Sequence, residues 1–178
     1  IIEYESGKKI DQIAYAVCGH SLGEYSALCS VNSLSLFDTT KLLKQRGIAM
    51  QNAVDFNKAK MSAVLGLDIL EIDKIIKNQN KKSICEVAND NCPGQVVLSG
   101  LKKDVDEVTT LCLKKGAKKI IDLNVSAPFH CSLMKKASEI MEKELKEVIL
   151  EVPKINFLCN YNAQCIKAVS YTHLTLPT

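Results

Sequence analysis

The chain has 178 residues, enough for one domain with a real core or for one large part carrying a small insert. Hydrophobic residues make up 47% and charged residues 24%, an ordinary globular composition, and a net charge of +3 is too small to call for a nucleic acid partner. No apolar run approaches membrane-spanning length, and the first residues have neither the basic nor the apolar region of a signal peptide, so a cytoplasmic protein without membrane contact is expected.

The chain begins at Ile1-Ile2-Glu3-Tyr4 as if inside a helix that closes by about residue 9, and both ends are expected to be truncated. Gln12–Val17 is an apolar run of strand length. It feeds Gly19-His20-Ser21-Leu22-Gly23, after which Leu22, Tyr25 and Leu28 recur at helical spacing. A bare Gly-x-Ser-x-Gly also occurs by chance in surface turns, but a strand before it and a helix after it make it a nucleophile elbow. In such an elbow the serine is held in a strained conformation with Oγ outward, and the Leu22 N–H at the helix start can stabilise an oxyanion. Gly19 and Gly23 are both expected because a Cβ at either would obstruct the turn.

Asn32-Ser33 make a turn, and Ser35 with Asp38 three residues on forms a capping box for a second helix. One stripe of that helix is Leu36, Thr40, Leu43, Gly47, Met50 and Val54; its neighbour is Leu42, Arg46, Ala49 and Ala53. Arg46 therefore needs a carboxylate partner or a site to face, unless its guanidinium snorkels to solvent past the alanines. From Lys60 the order becomes β-α-β-β-α-β: strand Met61–Leu67, helix Ile69–Asn78, strands Ser83–Ala88 and Gln95–Ser99, helix Val105–Lys115 and strand Lys118–Leu123. That is the ferredoxin-like order, punctuated by Asn89-Asp90-Asn91-Cys92-Pro93-Gly94 and by Gly116. The lysine pairs Lys81-Lys82, Lys102-Lys103, Lys114-Lys115 and Lys118-Lys119 read as solvated faces.

Val125-Ser126-Ala127-Pro128-Phe129-His130 leads into a helix over Ser132–Val148, with His130 just before its start. A histidine there can be a cap or a packed ring, but a serine nucleophile needs a base. The other candidates are His20, which more naturally shapes the elbow, and His173. Pro153–Leu158 is a further strand, followed by Asn160-Tyr161-Asn162-Ala163. Val169–Thr178 continues no pattern, looks like translated adaptor sequence, and takes His173 with it. The eight cysteines, Cys18, Cys29, Cys85, Cys92, Cys112, Cys131, Cys159 and Cys165, show no C-x-x-C pair and no zinc spacing, so they are expected as reduced, mostly core-filling thiols without a metal.

The segments Gly19–Leu28, Gln45–Gln51, Asn91–Val97 and Val125–His130, in that order, resemble the malonyl-CoA:acyl carrier protein transacylases and the related acyltransferase domains of fatty acid and polyketide synthases. The resemblance runs from about Ala14 to Asn162. It implies an α/β fold in which an α/β-hydrolase-like large subdomain, incomplete here, carries an inserted ferredoxin-like subdomain: residues 1–58 and 125–168 large, 59–124 small, 169–178 a non-native tail. It also implies Ser21 as nucleophile, His130 as base, Arg46 as the bidentate partner of the malonyl carboxylate and the Leu22 N–H as one oxyanion donor. Malonyl would pass from malonyl-CoA through a serine ester to the phosphopantetheine thiol of acyl carrier protein in fatty acid biosynthesis, with no cofactor or metal, in a monomer. The Lys-rich faces would suit an acidic carrier protein.

Leu22 after the serine and Phe129 before His130 match the malonyl-selecting pattern. The family's glutamine-bearing N-terminal segment and its C-terminal segment do not occur in this sequence, which leaves the activity of the chain by itself open. Two other readings stand beside this one. A plain serine hydrolase would use Ser21 and His130 on water but would not need Arg46. An inert carrier-protein-binding module would keep the elbow as a relic.

Overall fold

The computed structural model describes residues 1–125 and 127–166. Val169–Thr178, including His173, lies outside them, as does Ser126. The elements run α1 (Ile2–Ser6), β1 (Ala16–Cys18), α2 (Gly23–Ser30), α3 (Leu36–Ala53), β2 (Ala59–Leu65), α4 (Ile69–Lys77), β3 (Cys85–Cys92), β4 (Gln95–Leu101), α5 (Lys102–Lys114), β5 (Lys119–Asp122), α6 (Lys135–Lys146), β6 (Asn156–Leu158) and β7 (Cys165–Ile166). The class is α/β, with two sheets. None of the described helices is long and apolar enough to cross a membrane.

The chain divides into two compact units, Ile1–Gly47 with the described residues from Glu139 onward, and Ile48–Ser138. In the first, β1 pairs in parallel with β6, Cys18 opposite Leu158, and β6 pairs antiparallel with β7. Tyr25, Leu28, Leu34, Leu42, Met141 and Phe157 form its core. The start of α3 follows from local chemistry: the Ser35 hydroxyl accepts the Asp38 N–H at 2.9 Å as an N-cap and donates to the Asp38 carboxylate at 2.6 Å, so the capping oxygen is itself held in place. Along α3 the buried stripe is Leu42, Arg46 and Ala49, whereas Leu36 of the neighbouring stripe is 71% exposed.

The second unit holds an antiparallel sheet in the order β3-β4-β2-β5. Strand alternation sorts its residues: Val64, Val96 and Leu98 face α4 and α5, packing on Ile72, Ile75, Val105 and Val108, while Met61, Ala63 and Val97 form a cluster of their own. The expected turn at Asn89–Gly94 is shorter than its composition suggests. Asn89–Cys92 belong to β3, with register shifts between Val87 and Asn89 and between Asp90 and Cys92, and only Pro93-Gly94, with Gly94 at φ 77, turns the hairpin. Of the cysteines, Cys85, Cys112, Cys131 and Cys159 are buried, but Cys18, Cys92 and Cys165 are exposed, so core filling accounts for half of the eight.

Candidate active site

The elbow is built by one unavoidable close approach. A Cβ on Gly19 would lie 2.0 Å from the Gly23 carbonyl oxygen, so only glycine lets the chain leave β1 and fold back over the start of α2. Gly23 is different: a Cβ there would meet nothing within 4 Å. Its part in the motif is to supply the backbone against which Gly19 packs, not to make room for itself.

Between them Ser21 sits at φ 52, in the left-handed region that a non-glycine residue enters at a cost of roughly 1–2 kcal/mol. Turn bonds from the Gly23, Glu24 and Tyr25 N–H groups to the His20, Ser21 and Leu22 carbonyls start the helix. Leu22 is its N-cap and half exposed, so its own N–H precedes the helical ladder, at the positive end of the α2 dipole.

Two distant residues close on Ser21. Arg46 Nη2 donates to Ser21 Oγ at 2.8 Å across a sequence separation of 25 residues. Arg46 as a whole is only 9% exposed, and its buried Nε has no hydrogen-bond partner among the described residues. Burial lowers the Arg46 pKa from its ordinary value, partly opposed by the nearby Tyr25 phenol; a guanidinium nonetheless keeps its charge. Asn160, just beyond β6, accepts the Ser21 N–H on Oδ1 at 2.6 Å, and its own N–H donates to Glu24 Oε1 at 2.9 Å. Glu24 is 1% exposed. Tyr25 is fully buried, which pushes its phenol well above the ordinary range, and its hydroxyl is unpaired among the described residues.

His130 belongs to the other compact unit and adopts φ 58, again the left-handed region. Its loop is tied down on both sides. The Phe129 N–H donates to the Ala127 carbonyl, and the Cys131 thiol to the Pro128 carbonyl at 3.2 Å. From β3, the Glu86 carboxylate accepts both the Ser132 N–H at 3.1 Å and the Ser132 hydroxyl. His20 is exposed and gives its carbonyl to the turn.

Within its own unit the structure thus brings Arg46 to Ser21 and adds Asn160 and Glu24, which the sequence reading did not single out; Glu86, likewise not singled out, holds Ser132 beside His130 in the other unit. A serine Oγ on a strained turn, a helix-start N–H beside it and a charged donor on that Oγ are the parts that acyl transfer onto a serine would use.

The profile of the acyl transferase domain family matches residues 12–173. The chain is 42% identical over 147 residues to the malonyl CoA-acyl carrier protein transacylase of Staphylococcus aureus, covering 82% of this chain and 48% of that protein. Among solved structures it is similar to an acyl-carrier-protein-S-malonyltransferase from Bartonella henselae, with TM-score 0.88, 38% identity and coverage of 94% of this chain and 53% of that one. It also resembles a malonyl-transacylase in complex with a type II PKS acyl-carrier protein, with TM-score 0.91, 32% identity and coverage of 99% and 56%. The chain spans about half the length of the curated relatives it matches.

Proposed function

We infer the function from one premise: this chain belongs to the acyl transferase domain family. We propose that the protein carrying it transfers malonyl from malonyl-CoA to the phosphopantetheine thiol of an acyl carrier protein, in fatty acid biosynthesis. The observation that carries this reading is the buried Arg46, which donates to the oxygen of the proposed nucleophile while its Nε stays unpaired among the described residues. A hydrolase acting on neutral esters has no use for such a charge. A free carboxylate two bonds from the reacting carbonyl does, and a guanidinium fork can take it in bidentate fashion.

In this mechanism Ser21 Oγ attacks the thioester carbonyl carbon as His130 takes its proton, and the Leu22 N–H faces the developing oxyanion. The C–S bond then breaks, the CoA sulfur receives the proton from His130, and malonyl remains as an ester on Ser21. The carrier thiol next gives its proton to His130 and attacks the ester carbonyl. Ser21 Oγ leaves and is reprotonated. No cofactor or metal enters these steps.

Residues 59–124 are read as a ferredoxin-like small subdomain inserted in an α/β-hydrolase-like large one (1–58 and 125–168), with 169–178 as a non-native tail, in a cytoplasmic monomer. The β-α-β-β-α-β succession and the sheet order β3-β4-β2-β5 support the first of these assignments. The likeness to a malonyl-transacylase bound to a type II PKS acyl-carrier protein supports service to a polyketide carrier as a second reading.

The test is intact-mass analysis after brief exposure to malonyl-CoA, beside a Ser21→Ala control. A malonyl adduct absent from the control and discharged by holo-acyl carrier protein is expected. An adduct discharged equally fast by water alone would make the protein a hydrolase, and no adduct would make it an inert module.

A further inference from the structure

We propose that Asn160 is a positioning residue for the Ser21 nucleophile and that Glu24 holds Asn160 in place, the three forming a closed hydrogen-bonded ring. The inference rests on the reading of Ser21 as nucleophile. Its observations are independent of Arg46. The Ser21 N–H donates to Asn160 Oδ1 at 2.6 Å, and the Asn160 N–H returns to Glu24 Oε1 at 2.9 Å, one helical turn beyond Ser21. The ring therefore links residues 21–24 to residue 160 by two bonds of opposite direction. A side-chain acceptor alone could swing; an acceptor whose own backbone is anchored to the same turn cannot.

Position in the sheet explains why residue 160 can do this. Parallel pairing puts Cys18 opposite Leu158, so the chain leaves β1 toward the elbow and leaves β6 toward Asn160 at the same end of both strands. That end is where open parallel sheets place their reacting groups. Ser21 pays for φ 52 with conformational energy, and a rotation of the His20–Ser21 peptide plane would relax it. The bond to Asn160 opposes that rotation. It keeps Oγ and the Leu22 N–H in one fixed relation, and a misplacement of 1 Å at such a site costs about a hundredfold in rate. Glu24, a buried carboxyl on α2, offers Asn160 an acceptor from a residue that is 1% exposed.

The experiment is steady-state malonyl transfer, with thermal unfolding in parallel, on the full protein that carries this chain. Asn160→Ala and Glu24→Ala should each lower kcat by roughly tenfold to a hundredfold, with KM for malonyl-CoA changed by less than about twofold. Glu24→Gln, which keeps an acceptor for the Asn160 N–H, should restore kcat to within about threefold of the parent. Wild-type kcat in Asn160→Ala, or Glu24→Gln as impaired as Glu24→Ala, would overturn the proposal. If the alanine variants do not fold, Asn160→Asp decides it: the acceptor for the Ser21 N–H is kept, so retained malonyl adduct formation is expected, and loss of the adduct in a folded Asn160→Asp protein would overturn it. Failure of the underlying reading is separate, since the parent protein would then form no malonyl adduct at all.

Discussion

Exchanging each glycine of the elbow for alanine should have opposite results, although the Gly-x-Ser-x-Gly pattern treats them alike. In Gly19→Ala the new Cβ starts 2.0 Å from the Gly23 carbonyl oxygen and 2.1 Å from its carbon, both backbone atoms. Real contacts of this kind stay beyond about 3 Å, so the β1 exit and the first turn of α2 must separate by about 1 Å. Forced overpacking of that sort costs about 1–3 kcal/mol, which for a protein of this size lowers the melting temperature by roughly 2–4 °C per kcal/mol. The same displacement at the proposed nucleophile should lower acylation about a hundredfold. Gly23→Ala meets nothing within 4 Å and lies in the first turn of a helix. It should leave stability unchanged or raise it by about 0.4–1 kcal/mol, by restricting the unfolded chain. Differential scanning calorimetry on the pair, with malonyl adduct formation measured for Gly19→Ala, checks both halves. Equal destabilisation by the two substitutions, or an unperturbed Gly19→Ala, would refute the reasoning.

Ser35→Ala removes the α3 N-cap bond together with the hydroxyl–carboxylate bond beside it and should cost about 1 kcal/mol, seen as a lower denaturant midpoint with an unchanged slope and faster amide exchange in the first turn of α3. Burial pushes the Cys85 thiol up to about 12 and the Cys112 thiol up to about 11, with Cys131 also raised. Because these folded-state values lie above the unfolded one, their contribution to stability is complete below about pH 9 and is lost as pH rises toward 11–12. Unfolding measured from pH 8 to 11 should therefore show this contribution flat up to about pH 9 and falling from there to pH 11, and a thiol reagent at pH 8 should modify exposed Cys18, Cys92 and Cys165 long before the buried four.

Features encoded within a few residues were legible in the sequence: the elbow, the Ser35 cap, the helices at 69–77 and 102–114, and the β-α-β-β-α-β order. What escaped depends on partners far along the chain. The apolar run Gln12–Val17 suggested a strand, yet only Ala16–Cys18 pair, because β6 offers its first partner at Asn156; Tyr15 stays 86% exposed, and Ile10–Gln12 coil into a short 3-10 turn. Asn89–Cys92 have turn composition but are carried into β3 by the register against β4. β7, two residues long, carries no pattern of its own. Asn160 offered no signal, since its partner is 139 residues away. Glu24 did offer one. It lies four residues before Leu28 on the buried side of α2, and the argument that singled out Arg46, a charge in line with core positions, applies equally to it.

Arg46 gives the clearest separation of what the fold needs from what the chemistry needs. It sits between Leu42 and Ala49 on the buried stripe of α3, and its Nε has no hydrogen-bond partner among the described residues. A charge so placed is a burden: even buried charges that do have partners can be replaced by apolar side chains with a gain of about 1–4 kcal/mol. Arg46→Met, close in length and shape, should therefore melt at or above the parent temperature. The same substitution removes the donor from Ser21 Oγ and the cation proposed for a malonyl carboxylate. With charged hydrogen bonds worth about 1.5–3 kcal/mol each, acylation by malonyl-CoA should fall by at least a hundredfold. Acylation by acetyl-CoA, which has no carboxylate to bind and loses only the donor to Oγ, should fall at least tenfold less than acylation by malonyl-CoA. A variant that unfolds well below the parent would mean that the guanidinium holds the fold together, and equal losses on both thioesters would mean that it does not read the carboxylate.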